Sequence, residues 1–297
     1  MKNFSQNNIL RILKLKGGME MSKKSGFTLI ELLVVIAIIA LLLAILMPSL
    51  KIAKKLAQAV VCSAHTKQLS LAWRVYAEDN SDKICYGNVL LGSTPAEQWV
   101  QRMAQPGDPG YVSGTEALER EIIGIQQGAL FTYTESEKVY HCPADPAYKK
   151  FRGMSTLPSE TKRSPFRGFT IAGGMNAGPS PGSTVGYKGE KIIKKIGQIV
   201  NAGEKYVFLE EAEEGKGGHN WGSWILDSNL AVDSWHDPIS VWHGDSSVMG
   251  FADGHAETHK WRNDSTKDLA NGIIGPGQIV DPDDDLEWMQ RRYIPKN

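Results

Sequence analysis

Between Phe27 and Tyr86 the chain has no glycine, although 30 of its 297 residues are glycine. A stretch that long without the commonest helix breaker points to one long helix, since each interior glycine would cost about 1 kcal/mol. Only Pro48 interrupts it, and a proline there bends a helix rather than ending it. The first part, Phe27 to Met47, is uncharged and mostly apolar except for Glu31. Its 21 residues are enough to cross a bilayer core as a helix. A carboxylate at membrane depth costs roughly 2.5 to 3.5 kcal/mol on insertion scales, which marks Glu31 as functional. Glu31 also lies in the first turns of the helix, where the macrodipole favours a negative charge.

Charge is distributed unevenly about this run. The segment before Phe27 carries Lys2, Arg11, Lys14, Lys16, Lys23 and Lys24 against Glu20, a net +5. That excess favours a cytoplasmic N-terminus and an exported remainder. A conventional cleaved signal, with an apolar region of about 7 to 15 residues, fits poorly because this run is longer and continues as helix. Met19 and Met21 are alternative starts. From Phe27 onward the chain holds 27 basic and 32 acidic residues, a balance that argues against a nucleic-acid partner.

Beyond Pro48 the pattern becomes amphipathic. Ile52, Leu56, Ala59, Leu69, Trp73 and Tyr76 recur at helical spacing and are expected to bury, while Lys51, Lys54, Lys55, Lys67 and Arg74 face solvent. Asn80 and Ser81 are expected to close the helix. Roughly 220 further residues suffice for one sizeable domain. Cys62, Cys85 and Cys142 would allow one disulfide and one free thiol in an oxidising compartment, with connectivity open.

Lys23, Lys24, Gly26, Phe27, Thr28, Leu29, Ile30 and Glu31 together resemble the class III signal of type IV pilins and type II secretion pseudopilins. The resemblance implies that a prepilin peptidase cuts between Gly26 and Phe27 and methylates Phe27. Glu31 then becomes the fifth mature residue and serves assembly. Cutting creates an ammonium group that a neighbouring subunit's Glu31 can pair with, and removing either partner would strand a buried charge. The stretch Cys62 to Lys83 resembles the segment following the anchor in one pseudopilin-like group, through Cys62, Lys67, Gln68, Leu69, Tyr76, Ala77, Asp79 and Asn80. His65 and Thr66 depart from that pattern. Cys142, Pro143 and Asp145 match a Cys-Pro-x-Asp segment of the same group, which suggests that Cys62 lies near Cys142. His243, nine residues, then Asp253 and Gly254 match its C-terminal signature.

Within the exported part, Gly87 to about Gly189 is rich in glycine, proline and serine. We expect a helix at Ala117 to Gln126 and short strands at Val139 to His141 and Phe169 to Ile171, with Lys191 to Ile196 ambiguous. Tyr206 to Leu209 reads as a buried strand. Val248 to Phe251 and Ala256 to Trp261 flank Asp253-Gly254, a turn dipeptide, and so predict a hairpin. His243 is expected to end a strand over Ile239 to Trp242, its ring bonding a loop carbonyl or the Asp253 carboxylate.

Five of the seven histidines, His219, His236, His243, His255 and His259, crowd the C-terminal third. No compact zinc spacing and no nucleophile motif accompanies them, so no catalytic residue is assigned and a structural role is expected. Asp281, Asp283 and Asp285 are candidate calcium ligands, set against a solvated acidic turn. Trp221, Trp224, Trp235, Trp242 and Trp261 suit either a core or a sugar-binding face.

The sequence therefore predicts an α+β protein: leader 1–26, membrane and assembly helix 27–47, amphipathic continuation 48–82, and an exported domain 83–297 with an antiparallel sheet. The function implied is a structural filament subunit, in a pilus or a secretion pseudopilus. Its partners would be prepilin peptidase, other pilin-like subunits and the inner-membrane assembly machinery. The rivals are an anchored binding module, glycan-binding among the options, and an anchored metalloenzyme.

Overall fold

The computed structural model describes residues 27–89, 97–104, 106–108, 110–146, 148, 150, 152–154, 166–176, 192–211, 222–227, 229–278, 280 and 283–293. The chain divides into two compact units, Met1–Ser49 and Leu50–Asn297.

Helix α1 runs from Leu29 to Asp79, 51 residues, with Pro48 inside it. Pro48 lacks the N–H that would reach the Ala44 carbonyl, yet the helix continues past it, as expected. The end is closed by local chemistry. Asp82 donates its N–H to the Ala77 carbonyl at 2.8 Å, and the Asn80 side chain donates to the Tyr76 carbonyl at 2.7 Å. Ser81 takes the left-handed conformation (φ 58°) that such a cap requires.

Within the second unit, α1 buries Cys62, Thr66, Leu69, Ser70, Ala72, Trp73, Tyr76 and Ala77. Their spacing of three and four residues forms one face. The amphipathic expectation fails further upstream: Ile52 and Leu56 are 61% and 62% exposed. Periodicity shows which side chains share a face, but not whether anything covers it. Arg74 is also corrected, because it donates to the Ala252 carbonyl at 2.9 Å instead of facing only solvent.

The sheet comprises β1 (Phe169–Ala172), β2 (Tyr206–Glu210), β3 (Ser223–Trp224), β4 (Ser246–Phe251) and β5 (Ala256–Lys260), in the spatial order β3-β1-β2-β4-β5. The expected antiparallel sheet is mixed: β1 pairs with β2 antiparallel but with β3 parallel. β2 occupies one edge of β1, so β3 adds at the other edge and runs in the same direction as β1.

The β4–β5 hairpin forms where the Asp-Gly signal placed it, with Ser246 opposite Lys260 and Gly250 opposite Ala256. Its tip is Ala252-Asp253-Gly254. The Gly254 N–H donates to the Phe251 carbonyl at 2.9 Å, and Gly254 sits at φ 97°. That is a turn followed by a left-handed residue, one of the common hairpin closures.

Two expected strands are not strands. Glu137–Tyr140 is a 3-10 helix, and Ile239 to Trp242 is irregular chain. Both runs are short, and burial of Val139, Tyr140 and Ile239 explains their apolar residues without a ladder partner. Helix α2 (Ala117–Gln126) lies where expected, followed by the single turn α3 (Phe131–Thr134), α4 (Asp264–Ala270) and α5 (Asp284–Tyr293). The architecture is α+β, a long helix with an apolar head and a mixed sheet. Trp73 of α1 shares the core with Trp99, Tyr206 and Phe208, and the core extends to Trp224, Trp235, Trp261 and Tyr293.

Candidate functional site

The head of α1 is built by Thr28 and Glu31. The Thr28 backbone N–H and hydroxyl each donate to Glu31 Oε2 at 2.8 Å, while the Glu31 N–H donates to Thr28 Oγ1 at 3.3 Å. This reciprocal capping box satisfies orphan donors at the helix start. Phe27 is exposed, and Gly26 lies outside the described residues. The helix is long and apolar enough to cross a membrane, with a window of mean hydropathy 3.3 that buries nothing within the protein. Uncovered apolar side chains in such number call for lipid or protein around them.

The second region is the underside of α1, and the segment from His243 to Gly254 lies along it. At one end His243 reaches the cysteine that holds Cys62. In the middle, a Cβ on Gly250 would lie 2.2 Å from Ser70 Oγ and 2.8 Å from Thr66 Cγ2. At the other end, a Cβ on Gly254 would lie 2.9 Å from the Leu71 side chain, beside Arg74. The spacing of histidine, aspartate and glycine thus spans the stretch of helix that the sheet supports. Cys62 to Arg74 is about 18 Å of helix.

At the His243 end, Cys62 and Cys142 are joined in a disulfide, with Cα atoms 5.4 Å apart. His243 Nε2 is 2.9 Å from Glu210 Oε1 and 3.4 Å from Cys142 Sγ. The expectation for His243 is therefore corrected: its partner is Glu210, at the end of β2, and not Asp253. Asp253 instead accepts from the His255 N–H at 3.0 Å and lies 2.6 Å from His255 Nδ1. The ring and the carboxylate of the sequence pattern sit at opposite ends of β4, which separates them.

Glu210 is fully buried, and its other oxygen accepts from Val248 N–H at 2.9 Å and Ser240 Oγ at 3.1 Å. Burial alone would lower the pKa of His243. The hydrogen bond and charge of Glu210, together with the Lys55 backbone, outweigh burial and raise it. Sequence reasoning missed Glu210. The available signal was an acid directly after the apolar strand Tyr206 to Leu209, where a core strand ends in a carboxylate. Cys85, the third cysteine, is buried and free.

The acidic cluster does other work. Asp283 Oδ1 accepts the N–H groups of Asp285 and Leu286, capping α5. Its Oδ2 accepts from Ser265 and Thr266 hydroxyls at 2.6 and 3.0 Å. Asp285 Oδ2 accepts the N–H groups of Arg262 and Asn263. These two carboxylates are buried and accept from protein donors, which contradicts a solvated turn at those positions. Asp281 lies outside the described residues. Trp224, Trp235 and Trp261 are fully buried, so they offer no sugar-binding face; Trp242 is half-buried and Trp221 lies outside the described residues. A cavity of about 560 Å³ is lined by Lys51, Lys54, Lys55, Gln58, Asp145 and Lys150 among others.

Comparison with known proteins finds one family motif and one curated relative. The prokaryotic N-terminal methylation motif matches residues 21–47. The type IV wide pilus major component PilA4 of Thermus thermophilus is 42% identical over 80 residues, covering 26% of this chain and 61% of that protein. The chain thus spans about three fifths of the length of the curated relative it matches. No solved structure matches. Residues 21–47 thus carry the methylation motif, and the helix that begins within them is apolar and long enough to cross a membrane.

Proposed function

We propose that this chain is a structural subunit of a type IV pilus-like or type II secretion pseudopilus filament, processed by prepilin peptidase between Gly26 and Phe27. The methylation-motif match and the pilin relative support a pilus-like subunit. The observation that carries the mechanism is Glu31, the lone carboxylate of the apolar run, fixed by Thr28 in the first turn of α1.

Before cleavage, the positive leader keeps the N-terminus cytoplasmic and the span stores the subunit in the inner membrane. Cleavage leaves an ammonium group on Phe27, which is then methylated. That cation pairs with Glu31 of a neighbouring subunit, so burying the apolar face of α1 in a helical filament no longer strands a charge. The exposed apolar residues from Leu29 to Leu50 become the packing surface between subunits. Prepilin peptidase, other pilin-like subunits and the assembly machinery of the inner membrane are the partners, and the C-terminal domain is displayed outside.

The test is mass spectrometry of the mature N-terminus together with filament recovery. A methylated Phe27 is expected, and Glu31→Leu is expected to insert in the membrane yet be missing from sheared filaments. A mature chain beginning elsewhere, or normal filament incorporation of Glu31→Leu, overturns the proposal.

A further inference from the structure

The cluster beneath α1 holds more chemistry than a disulfide uses. Cys62, Cys142, Glu210 and His243 bring two sulfurs, one imidazole nitrogen and one carboxylate oxygen within 4.8 Å of one another, all buried. They come from four separate segments: α1, the chain after the 3-10 helix Glu137–Tyr140, the end of β2, and the connection into β4. A disulfide is stable among apolar side chains and requires neither an acid nor an imidazole beside it.

We infer that, when its cysteines are reduced, this cluster is a tetrahedral zinc site with Cys62, Cys142, His243 and Glu210 as ligands. Sulfur, imidazole and carboxylate donors are the set that zinc takes, and bound ligand atoms lie roughly 3.3 to 3.8 Å apart at ordinary zinc–ligand distances. Cys142 Sγ, His243 Nε2 and Glu210 Oε1 already lie near those separations, at 3.4 and 2.9 Å, and the two sulfurs move apart once their bond is reduced. Supporting contacts are already in place. The second oxygen of Glu210 is held by Val248 and Ser240. Such outer contacts orient ligands for a metal.

The two states exclude each other. A dithiol reductant supplies two electrons and two protons to the Cys62–Cys142 bond, becoming a disulfide itself and leaving two thiols. Zinc then displaces both thiol protons to solvent and is bound by two thiolates, the neutral imidazole and the carboxylate. Either state ties Cys62 of α1 to the segment carrying Cys142, so the helix is held in oxidising and reducing surroundings alike. The inference is independent of filament assembly.

The test uses the full chain in detergent, reduced and oxidised, titrated anaerobically with cobalt(II) and then zinc. The reduced chain is expected to take one cobalt, with the near-ultraviolet absorption of thiolate–cobalt bonds and the strong visible bands of a tetrahedral site, all bleached by zinc. The oxidised chain should show none of these. Glu210→Gln, which keeps the size of the side chain and its contact with Ser240, and His243→Ala should each weaken zinc binding at least about tenfold. Cys85→Ser should leave it unchanged. Circular dichroism establishes that each variant is folded. A folded, reduced chain that neither shows the thiolate–cobalt absorption nor retains zinc overturns the inference. So does absorption of full strength in Cys142→Ser.

Discussion

At Gly250 the helix and the sheet meet backbone to side chain, and a single methyl group decides whether they can. A Cβ there would overlap Ser70 Oγ and press on Thr66, both buried on α1. Gly250→Val is therefore expected to destabilise the domain by about 2 to 3 kcal/mol through overpacking, with Gly250→Ala intermediate, as chemical denaturation would show. An unchanged midpoint would mean that α1 moves away freely. Asp237 offers a separate residue-scale test. Burial pushes its carboxyl up to about 7 from 3.8, against the pull of the Ile225 N–H that it accepts. Between those two values the folded state binds more protons than the unfolded state, so stability falls as pH rises through that window. Asp237→Asn should remove this contribution, at most about 1.4 kcal/mol per pH unit, from melts recorded at about pH 5 and pH 7.5. Identical pH dependence in the two proteins would refute the assignment.

At the scale of elements, the disulfide and the hairpin fix α1 at two points. Cys62 and Cys142 are 80 residues apart, so their bond removes much freedom from the unfolded chain. Cys142→Ser is expected to lower stability under oxidising conditions by about 4 kcal/mol on the chain-entropy account, measured as a fall in the denaturation midpoint. A loss below about 1 kcal/mol would place the constraint in packing instead. The same elements separate what could be read along the chain from what could not. Helix α2, strand β2 and the β4–β5 hairpin announce themselves by length, β-branched and aromatic content, or an Asp-Gly turn. Val139 to His141 and Ile239 to Trp242 did not, because two or three apolar residues in a short run describe burial and say nothing about a hydrogen-bonding neighbour. β3 is two residues long and exists only because the free edge of β1 accepts it.

At the scale of the whole molecule, Glu31 has two possible tasks that one substitution separates. Glu31→Gln keeps an oxygen for the Thr28 capping box but loses the charge. Helix content in micelles should stay the same, while filament yield should fall nearly as far as with Glu31→Leu, since an ammonium group buried beside an amide lacks its counter-charge. A loss of helix with normal filaments would reverse the roles. What the sequence determined is local: a helix free of glycine, an apolar span with one carboxylate, and a turn between two strands. These depend on neighbours within a few residues, so composition and spacing suffice. Only the tertiary structure decided that Glu210 meets His243 beside Cys142, that Ile52 and Leu56 go uncovered, that Asp283 and Asp285 face protein donors, and that the sheet is mixed. The meeting of Glu210, His243 and Cys142 and the mixed pairing of the sheet join groups tens of residues apart or more in one buried space. Which groups become partners is set by how the whole chain packs, and no single stretch of it carries that information.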